Sequence, residues 1–473
     1  MAKFKALKDF VLLSGGEAIS KVIGFVAFAY LARVVSPEAY GAIELAAAML
    51  IFFSLLVDLG YGPIGAREIS QDEDLTQEYV ALISSARFIL ALVAVPLMCV
   101  AALFMNLSDS AIKLVWIFSL ALLAAPWNQR WLFQGMDKMQ WVSIGQLIRM
   151  LVFLFGIMWL ISSTDDLMIV GYVEVAASFA MAIFFAIMQL RENIHLKLNF
   201  HLKKLLNLTN EAFSFGLSQS IWAFNQYLPT FLIASFVSAV DLAWYGASHR
   251  IVISLVTFSM VYHFNLFPAL SKRLKHSLDA FYGLIIPSFK VTLWGGILIA
   301  LGLTLLAEPI IILIYGEKFK MAALPLAITI WALPFTLLNG HGRWALVAAH
   351  QQRYVLYTQM SGTVAAVTSG LVLVPIYGAT GGGITMVVTS FTVWVAANYH
   401  AKRLVAPIPF ILKALPAFLL ALAMIVLVYY LLPYNIFTAI GGIAGFIILA
   451  PLIDRQLIND LKRFMHVKDI PLD

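Results

Sequence analysis

The sequence predicts an all-α integral membrane protein, a bundle of about fourteen transmembrane helices joined by short loops. Three observations predict it. Apolar runs of roughly 20 residues recur along nearly the whole chain, each able to cross a hydrocarbon core of about 30 Å. Of the 473 residues, 62% are hydrophobic and 12% charged, against roughly 25% charged in a globular domain. Basic residues gather in alternate loops, as cytoplasmic loops require. The runs are too long and continuous for barrel strands, and only helices or closed barrels satisfy the backbone in lipid.

The expected spans are 11–33, 41–62, 79–104, 111–133, 141–162, 167–190, 211–237, 241–267, 281–307, 321–348, 353–375, 379–400, 408–432 and 435–453. Residues 1–10 are short and basic. The run behind them carries Glu17 and Lys21 and no clear small-residue cleavage site, so it reads as a retained span rather than a signal peptide. A cytoplasmic N-terminus places Arg67, Lys138, Arg191, Lys197, Lys203, Lys204, Lys272, Arg273, Lys275, Arg353, Lys402, Arg403 and the basic residues of the tail inside. Little beyond Lys318 and Lys320 is left outside, and both termini are then cytoplasmic. The net charge of +6 belongs to this asymmetry, so no nucleic-acid partner is expected.

Spans one to twelve read as two related halves. Tyr40-Gly41 opens span two and Tyr245-Gly246 opens span eight. Arg87 in span three and Lys290 in span nine sit at similar depth. Arg130-Trp131 precedes Gln146 by the offset at which Arg343-Trp344 precedes Gln359. This predicts an N-lobe over 1–190, a basic cytoplasmic linker over 191–210, a C-lobe over 211–400, and two extra spans with a polar tail over 401–473. Parallel repeats are a transporter architecture, with the substrate site at the interface between halves.

Ionisable groups inside spans cost roughly 2.5–3.5 kcal/mol each on insertion scales and persist beside a partner or a watery cavity. The chain places Glu17, Lys21, Glu44, Asp58, Arg87, Arg149, Glu174, His249, Arg250 and Lys290 there. Glu17 and Lys21, one turn apart, are expected to form a structural pair. Glu44 and Asp58 share a face of span two. Arg87, Arg149, Arg250 and Lys290 are all cationic and come from both halves. With Glu17 engaged by Lys21, they outnumber the buried carboxylates and predict a net positive cavity for an anionic headgroup. The competing reading is a set of structural pairs, such as Arg149 with Glu174. Ser214, Ser218, Trp222 and Asn225 form a polar face on span seven, with Gln219 and Gln226 beside it. That face suits sugar hydroxyls and equally suits interhelical hydrogen bonding. Trp127, Asn128, Trp131 and Gln134 suit an aromatic belt.

No phosphate loop, nucleophile elbow or His-Glu-x-x-His motif occurs. Cys99 alone makes neither a disulfide nor a metal site, and His263, His341 and His350 read as isolated groups near helix ends. No cofactor is expected. Without a nucleotide-binding loop, energy must come from a gradient or a partner. Glu44, Asp58 and Glu174 are the candidate ion-coupling carboxylates, with a proton or sodium as counter-ion. Outer loops of roughly four to fourteen residues argue against a polysaccharide polymerase, ligase or glycosyltransferase.

Several segments carry a resemblance. They are Leu31-Ala-Arg33-Val-Val-Ser-Pro37-Glu-Ala-Tyr40-Gly41, Asp58-Leu-Gly60-Tyr-Gly62 with Ala-Arg67-Glu68-Ile69, Trp131-Leu-Phe-Gln134-Gly135-Met-Asp-Lys138, Ile314-Tyr315-Gly316-Glu317-Lys318-Phe319, and Pro375-Ile-Tyr377-Gly378-Ala-Thr-Gly381. Together they resemble polysaccharide flippases of the Wzx type, within the multidrug/oligosaccharidyl-lipid/polysaccharide exporter superfamily. The resemblance implies two six-helix lobes around a central cavity. It also implies alternating-access, ion-coupled transport of undecaprenyl-diphosphate-linked oligosaccharides, from the cytoplasmic to the periplasmic leaflet of the bacterial inner membrane. A chain polymerase and length regulator would be partners. A murein-precursor flippase or a multidrug exporter of the same superfamily is the alternative. Arg33, Tyr40-Gly41 and Gly316 read as loop and turn markers.

Overall fold

In a computed structural model of the protein, every regular element among the described residues is a helix. The structure describes residues 2–195, 197–407 and 410–465, with side chains over 16–462 except 196, 258, 261, 408 and 409. Contacts divide the chain into two compact units, Met1–Ala243 and Trp244–Asp473.

The first unit contains α1 (Ala2–Val34), α2 (Pro37–Asp58), α3 (Tyr61–Gln71), α4 (Thr76–Leu103), α5 (Asp109–Ser119), α6 (Arg130–Gly135), α7 (Met139–Leu160), α8 (Leu167–Arg191) and α9 (Leu202–Phe236). The Ser36 side chain caps α2 by accepting from the Ala39 amide, and Pro37 supplies a preset first turn. Leu59 and Gly60 end α2 with left-handed φ values of 42° and 85°. Glycine is required at 60, because a Cβ there would lie 2.7 Å from the Ala212 carbonyl oxygen of α9. The α2–α3 turn therefore sits directly against α9. Around it Tyr61, Trp131, Phe133 and Phe185 form the core, with Phe133 and Phe185 stacked at 5.7 Å. On α4, Leu92, Val93, Leu97 and Val100 are exposed, an apolar face fit for lipid.

Helix α10 (Ala239–His276) leads into the second unit. There follow α11 (Leu278–Leu305), α12 (Ala307–Tyr315), α13 (Ala323–Thr329), α14 (Ala332–Ala348), α15 (Gln352–Leu404), α16 (Phe410–Val426), α17 (Ile436–Ile453) and α18 (Leu457–Met465). The 53-residue α15 is two helices that meet at Gly378, whose φ of 53° and ψ of −129° are non-helical. Pro375 stands just before this turn, and Gly381 backs onto the Leu373 carbonyl with no room for a Cβ. Helices α16 and α17 pack on α11, where Phe289 stacks on Phe410 at 4.4 Å and Trp294 meets Phe446 at 5.6 Å.

Among the described residues, eleven helical stretches are long and apolar enough to cross a membrane, with α15 counted once. The first and seventh expected spans lie in α1 and α9, and the eleventh and twelfth share α15. Among the described residues, which leave out 408 and 409 of the thirteenth run, the expected runs thus lie mainly in helices. The fourth is not continuous, however. It is α5, a 3-10 stretch over Leu120–Trp127, and α6. Pro126 lies within that stretch and cannot continue an α-helical hydrogen-bond ladder. The tenth is likewise broken, at Ile330 and Trp331 between α13 and α14.

Candidate functional site

The break after Leu120–Trp127 exposes backbone that lipid cannot satisfy, and side chains from α4 and the break itself satisfy it. The Gln129 side-chain amide donates to Ser84 Oγ at 2.8 Å and to the Pro126 carbonyl at 3.1 Å. Arg87, about three turns into α4, donates from one guanidinium nitrogen to the Asn128 carbonyl at 2.9 Å. Its other terminal nitrogen forms an ion pair with Asp58 at the end of α2. Arg87 is buried, while the Asp58 side chain keeps 31% of its surface exposed. Beside them Tyr61 hydrogen-bonds Thr209 of α9 at 2.8 Å. Arg87, Asp58 and Trp131 all crowd Gly62, where a Cβ would stand 3.2 Å from the guanidinium.

A second pair crosses from α7 to α8. Arg149 pairs with Glu174, and the Ser178 hydroxyl donates to the same carboxylate at 3.2 Å. In the second unit, Lys290 on α11 is held by two carboxylates, Asp454 at 2.9 Å and Asp460 at 2.7 Å. Both come from the polar C-terminal segment, and Asp460 lies on α18. Glu17, which acts on Lys21 one turn away as expected, also forms an ion pair with Arg130 of α6.

These pairs correct the expected charge balance. Three of the four cations, Arg87, Arg149 and Lys290, have carboxylate partners within their own units, so the set is not an uncompensated positive lining. The shortfall of carboxylates is made up by Asp454 and Asp460, which reach back from outside the expected spans, and by Asp58 and Glu174. Two residues expected to couple ions, Asp58 and Glu174, are the partners of two expected to bind substrate. Arg250 is half-buried on α10, Glu44 is buried on α2, and Asn225 and Trp222 lie buried and half-buried on α9. Ser214, Ser218 and Gln219 on the same helix are exposed. Elsewhere in the first unit a cavity is lined by Ser36, Glu38, Asn106, Ser108, Ser110 and Thr164.

The histidines differ from expectation. His350 is exposed at the end of α14, but His263 and His341 are fully buried and paired. They come from α10 and α14, and Tyr262 and Ser288 extend the pair into a polar chain. No spacing in the sequence joins these four positions; only the packing of three helices does.

Comparison with known proteins places the geometry. The chain is 21% identical over 392 residues to a "Putative O-antigen transporter" of Shigella dysenteriae, covering 81% of this chain and 96% of that one. A namesake from Escherichia coli K12 is 21% identical over 185 residues, 38% of this chain and 44% of the relative. The fold is that of the lipid II flippase MurJ in an inward closed conformation, with a TM-score of 0.75, 16% identity, and coverage of 95% of this chain and 100% of that one. An inward-facing multidrug resistance MATE transporter of the MOP superfamily superposes with a TM-score of 0.63 at 13% identity, over 84% of this chain and 98% of that one. These relatives are transporters and flippases, not enzymes. Residues 6–274, more than half of the sequence, match the family described as "Polysaccharide biosynthesis protein", and the chain belongs to that family.

Proposed function

We propose that this protein is a flippase that carries undecaprenyl-diphosphate-linked oligosaccharide repeat units from the cytoplasmic to the periplasmic leaflet of the bacterial inner membrane. It works by alternating access, for O-antigen or another surface polysaccharide. The observation that carries the reading is membership of a polysaccharide biosynthesis family by a chain built as a transporter bundle. Both termini lie in the cytoplasm, the lobes are 1–190 and 211–400, and a chain polymerase and length regulator receive the product. Arg87, Arg149, Arg250 and Lys290 engage the diphosphate, and Asn225 and Trp222 the sugars. Asp58 and Glu174 hold the arginines until the cargo's phosphates replace them, and with Glu44 they serve the coupling ion, a proton or sodium. Exchange of a carboxylate for a phosphate suits arginine, whose planar fork pairs with either. Asp58 is the more open of the two carboxylates that hold these arginines and is the natural first site of exchange.

Single replacements of Arg87, Arg149, Arg250 or Lys290 by alanine are expected to lower surface polysaccharide while the protein stays in the membrane. Full surface polymer in all four would overturn the assignment. The likeness to MurJ favours one second reading, a murein-precursor flippase, because such a cargo shares the lipid diphosphate handle. Rescue of a strain depleted of its own murein-precursor flippase would establish it.

A further inference from the structure

In the second unit, helices α10, α11 and α14 enclose a continuous chain of hydrogen bonds with two titratable rings at its centre. Tyr262 Oη meets Ser288 Oγ at 2.6 Å, and Ser288 Oγ meets His341 Nε2 at 2.8 Å. His341 Nδ1 faces His263 Nε2 at 3.4 Å, and His263 Nδ1 meets the Ser259 carbonyl oxygen at 2.8 Å. Donor rules orient the chain. A carbonyl only accepts, so His263 carries its proton on Nδ1, and its Nε2 accepts in the neutral ring. His341 then donates from Nδ1, Ser288 donates to His341 Nε2, and Tyr262 donates to Ser288.

The surroundings supply no negative charge. On α10 the neighbours are Ser259 and Tyr262. On α11 they are Ser288, whose backbone carbonyl as well as its hydroxyl faces His341, and Phe289, whose ring stands 5.7 Å from His341; Lys290, two residues on from Ser288, is engaged by Asp454 and Asp460. On α14 the Leu337 and Leu338 carbonyls face His341, and the charged neighbour of His263 is Arg343. From α15, Ala397 lies against Gly342. Among the described residues no carboxylate acts on either ring. An imidazolium in this packing would be a buried charge without a counter-ion, which costs several kcal/mol. A proton can enter only where water reaches the rings.

One hydroxyl can accommodate that proton. A proton added to the His341 Nε2 lone pair turns this nitrogen into a donor. The Ser288 oxygen has two lone pairs and can accept from both His341 and Tyr262 once its own hydrogen swings away. Gly340 holds the geometry: a Cβ there would collide with the His263 ring.

We propose that the His263–His341 pair is a proton-binding site that couples this flippase to a proton gradient, in addition to the carboxylates Glu44, Asp58 and Glu174 of the first unit. It takes up one proton when α10, α11 and α14 part and water enters, and releases it when they close to the packing described. The proposal rests on the reading of the chain as an ion-coupled flippase; it names the proton as the ion and adds a second place where it binds.

The test uses the purified full-length protein in vesicles that contain an undecaprenyl-diphosphate-linked oligosaccharide. Leaflet occupancy is read by an impermeant sugar-modifying reagent, and internal pH by an enclosed dye. One unit of pH gradient is worth about 1.4 kcal/mol per proton. With one proton per cargo the steady-state leaflet ratio should shift about tenfold. His341→Gln and His263→Asn, whose amides can replace part of the hydrogen bonding, should abolish both the shift and cargo-driven pH movement while still equilibrating the lipid. Tyr262→Phe keeps both rings and should retain the shift, reporting on the chain if a histidine variant fails to fold. A wild-type protein that moves no cargo with or without a gradient sinks the flippase reading itself. A wild-type protein that moves cargo at a rate and ratio indifferent to pH, or histidine variants that keep the full tenfold shift, overturns the histidine site alone.

Discussion

Removing the Glu174 carboxylate should expose how much of the Arg149 site is structure and how much is function. The two side chains keep 7% and 23% of their surface, so Glu174→Ala strands a guanidinium in a largely dry place beside the Ser178 hydroxyl. Breaking a buried pair from one side costs about 3–5 kcal/mol. The partial exposure of Arg149 points to the low end, about 3 kcal/mol, or roughly a hundredfold in the folding equilibrium. Glu174→Met and Arg149→Met, as single variants and combined, complete the comparison: the double removes the stranded charge, and such swaps are often neutral. The double variant should therefore recover most of the loss, with a coupling energy of at least about 2 kcal/mol. Unfolding in mixed micelles by graded addition of SDS measures all four corners of the cycle. Single variants within about 1 kcal/mol of the parent, with no coupling, would refute the buried-pair argument. Flipping assays on the stable double variant then separate roles: retained transport makes the pair purely structural, and lost transport assigns the pair to cargo binding or ion coupling.

Three further outcomes follow from named contacts. Gly60→Ala should destabilise by about 2 kcal/mol or more, because it adds left-handed strain to a clash with the Ala212 carbonyl; an unchanged SDS midpoint would contradict the close approach of α9. Lys290→Met should release the C-terminal helix α18, seen as faster proteolysis of the tail in inverted vesicles, whereas unaltered cleavage would show that Asp454 and Asp460 do not hold it. Arg67→Ala should change stability by no more than about 1 kcal/mol, since exposed pairs contribute little, although Arg67 contacts both Glu68 and Glu211; a larger loss on the same SDS titration would show that α3 is pinned by charge.

The helices were legible because lipid imposes length and apolarity on every span. Among the described residues the expected runs lie mainly in helices, and the turn at Gly378 was visible in the Pro375-to-Gly381 motif. The breaks were harder to read. A proline at 126 and a proline at 334 look alike in a list of apolar residues, and neither shows that Gln129 and Arg87 will take over the freed backbone. Arg149 with Glu174 was readable as a pair between neighbouring spans, yet the partners of Arg87 and Lys290 were not. Asp454 and Asp460 lie 164 and 170 positions from Lys290 and outside the spans, so no helical period links them. His263 and His341 are 78 residues apart, and only helix packing makes them neighbours. Spacing within one helix is therefore a guide to faces, while charge balance depends on contacts between helices.

The unwound stretch before α6 has a mechanical consequence. Its Asn128 carbonyl is held by Arg87, and the same guanidinium is anchored to Asp58 at the α2–α3 turn. One rigid, five-donor group thus ties three separate segments together. Any movement that draws Asp58 away rotates the fork and loosens its grip on the Asn128 carbonyl. In lipid a loosened carbonyl needs another donor, so the stretch must either rewind or admit water. The turn and the unwound stretch cannot change state independently; they move as linked parts, with Arg87 as the pin between them.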